Sequence, residues 1–144
     1  MTFEELVAAI RTEAGDRDSA AYRYTTNEIA LTLRDVRRSL GVMGVASLDD
    51  LSVDVTEEAE AITPEPTDIQ GDILAKATAL KILEQTFRRR VDDGSLGVTW
   101  RSGLEQESTV SQEKAYRSML SGLRSDLDSV ILIAGAGSAA TRPQ

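Results

Sequence analysis

The side chains able to do chemistry in this chain are few in kind. Neither histidine nor cysteine occurs among its 144 residues. Their loss removes the usual proton-transfer group near neutral pH, thiol nucleophiles, disulfides and the common zinc ligands together. A serine nucleophile would have to rely on lysine as its base, and the lysines are Lys76, Lys81 and Lys114, with no Gly-x-Ser-x-Gly elbow. The GAGSAA stretch at 135–140 has the small residues of a phosphate-binding loop. It lacks the lysine, follows a helical pattern instead of a strand, and has no helix after it. Carboxylates remain. Asp54, Glu57, Glu58 and Glu60 form an acidic run without the glycine or spacing of a calcium loop. The acids on the helical segments do not converge as paired Glu-x-x-Glu motifs, which weighs against a magnesium-dependent hydrolase. The sequence therefore predicts no catalytic, cofactor or metal site.

What is left is chemistry of contact. Arg88, Arg89 and Arg90 stand together at the end of a helical pattern, where cations suit the helix dipole and where an acidic partner or a DNA backbone has something to meet. Trp100, the single tryptophan, is either a core plug or an interface anchor. Near the end of the chain, Ile131, Leu132 and Ile133 precede a polar, small-residue stretch containing Gly135, Gly137 and Arg142. An apolar triplet exposed on a monomer is a liability that becomes an anchor when a partner buries it. The alternative is that the last helix simply runs on and packs these residues inside.

The elements that must carry these groups are mostly helical. Thr2 with Glu5, and Thr25 with Glu28, have capping-box spacing, and the apolar residues behind each fall at helical intervals. The first helix should stop at Gly15, and the second should span roughly 26–40 with Gly41 as its C-cap. Between Val42 and Thr67 the pattern alternates and meets two prolines, which predicts a long connection with one short hairpin. Ile69, Ile73, Ala77, Leu80, Leu83, Phe87 and Val91 then mark a third helix, and Leu74 and Ile82 widen its stripe to more than one neighbour. After the extended-looking SLGVTWRSGLEQESTV, a fourth helix opens at Ser111, with Ala115, Met119, Leu120, Leu123, Leu127, Val130 and Ile131 closing a small bundle. The expected organisation is a helical domain over 1–130 and a C-terminal tail over 131–144.

Charge sets a further bound. A net charge of −8 opposes a stand-alone nucleic-acid binder. The N-terminal residues have acids among the apolar ones and no basic region, unlike a signal peptide, and no run reaches the length of a membrane span. The expectation is a soluble protein that stays in the cell that makes it.

A tyrosine-containing turn before the second helix, the ITPEPTD break before a long Leu/Ala-rich helix ending in arginine, the GVTWRSGLEQEST segment and a final SQEKAYRSMLSGLRSDLDSV helix follow one another over roughly 25–131. In this order they resemble the head-to-tail connector (adaptor, or head-completion) proteins of tailed bacteriophages. The resemblance implies a small helical bundle whose copies form a dodecameric ring beneath the portal protein. That ring continues the DNA channel towards a stopper or tail-completion protein, and the genome passes through without specific binding. It implies a virion neck protein assembled in the host cytoplasm, structural and not catalytic. It also implies a portal-docking segment from Ile131, Leu132 and Ile133 to the C-terminus, with Gly135, Gly137 and Arg142 in it. Residues 96–108, with Val98, Trp100, Arg101, Glu105 and Glu107, would form a channel-facing or tail-facing loop. An acidic helical adaptor for a single protein partner, with no viral role, is the competing reading.

Overall fold

A computed structural model of the chain describes residues 1–56, 58–92, 114 and 117–133. Over these residues the protein is mainly helical: α1 (Phe3–Ala14), α2 (Thr26–Val42), a 3-10 segment (Val45–Asp50), strands β1 (Ser52–Val55) and β2 (Glu60–Thr63), and α3 (Asp68–Asp92). A last helix, α4, covers 117–133. The expected hairpin is present as an antiparallel pair in which Val53 faces Ile62, both buried.

Three helices begin with reciprocal caps. Thr2 and Glu5, and Thr25 and Glu28, each exchange side-chain-to-backbone hydrogen bonds. Thr67 does the same with Gln70 ahead of α3. Each cap satisfies amide donors that the helix itself leaves orphaned. At the other end of α1, Gly15 takes the left-handed conformation (φ 74°) and its N–H closes onto Arg11 and Thr12 carbonyls.

Gly41 is not the C-cap of α2. The helix runs on through Val42, and the left-handed turn falls at Gly44 (φ 74°). Gly41 serves a different end: a Cβ there would lie 3.2 Å from the backbone of Asp49, tighter than an ordinary contact, so glycine suits the close crossing of the 3-10 segment over α2. That segment was not expected from the sequence. It holds Ala46 and Ser47 at φ 49° and 57°, strained for residues with a side chain, and Gln70 at the start of α3 donates to the Ala46 carbonyl at 2.9 Å.

α3 is the hub. It packs against both α1 and α2, and Ile73, Leu74, Ala75, Ala77, Ala79, Leu80, Ile82 and Leu83 are all buried, which is why its apolar stripe is wider than one face. Ile69, expected in that stripe, is instead 53% exposed, while its neighbours Gln70 and Gly71 meet Ala46 and Met1. α2 lies antiparallel to α3, with the Tyr24 hydroxyl hydrogen-bonded to Thr86 at 2.7 Å and Val36 and Leu40 beside Ala77 and Leu80. α4 lies antiparallel to α3 as well: Arg117 sits over the Phe87 ring and Arg124 pairs with Glu84. Leu123 and Leu127 join the common core.

The α1–α2 connection is organised around a buried ion pair. Arg11 donates to the Asp16 carboxylate at 2.8 Å and to the Tyr24 carbonyl at 2.8 Å, and its guanidinium stacks 3.7 Å from the centre of the Tyr22 ring. Asp16 in turn accepts from the Arg23 and Tyr24 amides. Asp16→Ala strands a buried guanidinium and two amides, so it should lower unfolding free energy by about 3 kcal/mol; a urea titration in which the midpoint hardly moves would show the pair to be dispensable.

Lys76 ties α3 to α1 through Glu13 at 2.9 Å, with Asp72 at 3.4 Å. The hydrogen bond to Glu13 raises the Lys76 pKa above the ordinary lysine value; burial opposes this, and the charges of Glu13 and Asp72 add to it. A folded-state pKa raised above the unfolded one gives stability that is complete below the unfolded value and disappears as pH rises through the folded value. The stability advantage over Lys76→Met should therefore be constant from neutral pH to about pH 10 and shrink above it, as read by urea unfolding across that range.

Candidate functional site

With no histidine or cysteine in the chain, a reactive site would have to be built from carboxylates and lysines. Among the described residues no group of three His, Cys, Asp or Glu could hold a metal ion. The groove between α2 and α3, about 390 Å³, has Val36, Leu40, Ala77 and Leu80 among its lining and Asp35, Lys81 and Glu84 as its ionisable members. Glu84 is already committed to Arg124. The groove thus offers apolar contact beside Ser39 and a single lysine, Lys81, and no hydrogen bond joins that hydroxyl to that amine.

The contact residues have a clearer geometry. α4 does not end at 130 but continues through 133, and its last turn divides. Ile131 is half-buried against the core, while Leu132 and Ile133 are 73% and 67% exposed. Helical phase explains the division, since Leu123, Leu127, Val130 and Ile131 follow one another on the inner face and positions 132 and 133 rotate away from it. Met119, expected on the inner stripe, is 40% exposed. Gly135, Gly137 and Arg142 lie outside the described residues, as do Val98, Trp100, Arg101, Glu105 and Glu107.

Arg88 and Arg89 are exposed on the last turns of α3, with Arg90 in the same helix. Glu84 stands four residues before Arg88 on α3, the spacing of a pair along one helix face. The Glu84 carboxylate instead takes Arg124 from α4, which leaves Arg88 turned to solvent and open to an acidic partner.

A second set of exposed apolar residues has no counterpart in the sequence reading. Val42 and Met43, at the end of α2, are 85% and 73% exposed, and Ile69 opens α3 close by. Because α2 and α4 both run antiparallel to α3, the C-termini of α2 and α4 and the N-terminus of α3 share one end of the bundle. Five of the eight large apolar side chains exposed among the described residues are there: Val42, Met43, Ile69, Leu132 and Ile133. The signal that could have revealed Val42 and Met43 is that they lie beyond Leu40, the last residue of the α2 stripe to pack on the core.

No helix among the described residues is long and apolar enough to cross a membrane. Comparison with known proteins returns no matching family, no similar characterised protein and no similar solved structure. Function therefore has to be argued from these residues alone.

The inner and outer residues of α4 should separate in stability measurements. Leu127→Ala should cost about 2–4 kcal/mol by removing a buried side chain, whereas Leu132→Ser with Ile133→Ser should shift stability by no more than about 0.5 kcal/mol. Thermal melts of equal concentrations decide it; a large loss for the outer pair would mean that those residues serve the fold.

Proposed function

We propose that this protein is a structural subunit of the neck of a tailed bacteriophage, forming a ring that seats on the portal protein and carries the DNA channel towards a stopper or tail-completion protein. The observation that carries the reading is the last turn of α4, where Leu132 and Ile133 stand out from a helix whose Leu123, Leu127, Val130 and Ile131 are packed. An exposed apolar helix end on an acidic chain is what an attachment point needs. Each large aliphatic side chain that a partner buries contributes about 1.5 to 3 kcal/mol, and repetition around a ring multiplies a modest contact into firm attachment. The small bundle built around α3 and the ordering of its elements support the same reading.

The deciding experiment is native mass spectrometry of this protein with the portal ring encoded in its own genome, alongside each component alone. The expected result is a mass increase of one full ring of copies. A complex with one or two copies would favour the single-partner adaptor, and an unchanged portal mass would remove the connector reading.

A further inference from the structure

The net charge of the chain resides in one stretch. Positions 39–75 contain nine acids and neither lysine nor arginine, a charge of −9, so with −8 for the whole chain the remaining residues sum to +1. That stretch runs from the last turns of α2 through the 3-10 segment and the hairpin into the first turns of α3. It is the same end of the bundle that exposes Val42, Met43 and Ile69, with Leu132 and Ile133 arriving on α4. Asp49, Asp50, Asp54, Glu58 and Asp68 are exposed there, and none makes an ion pair among the described residues. Among the described residues, this end of the bundle thus combines exposed apolar side chains with carboxylates that have no ion pair.

We infer that this end is a docking surface for a basic amphipathic segment of another protein, whose apolar side chains rest on Val42, Met43, Ile69, Leu132 and Ile133 while its lysines and arginines meet the acidic collar. Charge complementarity selects that occupant. Nucleic acid and anionic lipid are disfavoured by a surface whose exposed carboxylates outnumber the cations beside it, Arg37 next to Gly41 and the N-terminal ammonium next to Glu65. Two copies of this chain meeting through the same end would set like charges against each other, which disfavours that pairing. A basic partner gains from both parts of the surface at once. Met43, with its unbranched thioether chain, adapts to the shape that arrives. The inference rests on the connector reading only for the partner's name, the portal; the partner's chemistry follows from the surface.

The test has two arms. In the first, a labelled helical peptide of about 18 residues, leucine on one face and lysine on the other, is titrated into the full chain, with a leucine–glutamate peptide as control. The lysine peptide should bind and the glutamate peptide should not, with affinity falling steeply as salt rises. Met43→Ser with Ile69→Ser should weaken binding about tenfold, whereas Met119→Ser, an exposed apolar change outside this end, should leave it unchanged. Equal binding of both peptides would overturn the proposal, as would indifference to the Met43 and Ile69 changes. It would also fall if deletion of 134–144 strengthened binding about tenfold, because the chain's own tail would then be the occupant. A native dimer dissolved by Met43→Ser would overturn it in favour of a second copy. The second arm repeats the Met43/Ile69 variant against the portal ring. Patch-dependent peptide binding with no portal binding upholds the docking surface while removing the connector reading, so the two can fail separately.

Discussion

The arrangement of the bundle depends on one buried charge pair. Arg11 sits in the last turn of α1, where a cation suits the helix dipole, yet its head is buried and must be fully met. Asp16 meets it from just past the α1 C-cap and spends its remaining lone pairs on the amides of Arg23 and Tyr24. The polar segment between α1 and α2 is thereby wrapped around a single guanidinium, with Tyr22 stacked over it. Because Tyr24 is fixed there, its hydroxyl reaches Thr86 on α3. One ion pair thus sets the entry of α2 and the height at which α2 meets the hub helix.

From that point the packing follows with little freedom. α3 buries residues on several faces and so accepts α1, α2 and α4 as neighbours. The Lys76–Glu13 pair fixes α1 along it, and Arg124–Glu84 fixes α4. One member of the hub is poorly served: Thr78 is fully buried and its hydroxyl has no partner. An unpaired buried hydroxyl costs about 1–3 kcal/mol, and nothing in the described surroundings compensates it.

What could be read in the sequence was what acts over one or two turns. Capping boxes at Thr2 and Thr25, the stop at Gly15 and the hairpin between α2 and α3 are local patterns, and each is present; the apolar stripes hold among the described residues except at Ile69 and Met119, which are exposed. What was hidden depends on contacts between distant residues. Gly41 reads as a stop signal until Asp49 is seen crossing it, and the 3-10 segment is held in a strained turn by Gln70 from another helix. Ile69 fits the α3 period, but the 3-10 segment and the N-terminus meet its turn at Gln70 and Gly71 and leave Ile69 exposed. The end of α4 was legible in part: the apolar run at 131–133 is plain in the sequence, while its division into one packed and two exposed residues is a matter of helical phase against α3.

The acidic end bears on why the exposed apolar residues are tolerated. Collecting nine acids in one stretch brings mutual repulsion that weakens the fold, and the hairpin needs few of them: its core partners are Leu48, Leu51, Val53 and Ile62. The collar gives the fold no ion-paired scaffold, since Lys76 and the N-terminal ammonium are the cations that reach acids of this stretch among the described residues. Its effect lies at the surface. Bare valine, methionine, isoleucine and leucine at the end of a bundle invite stacking of copies, and a ring of carboxylates beside them makes that stacking repulsive while leaving the patch open to a cationic partner. The same residues that would threaten solubility become selective once the charge around them is of one sign.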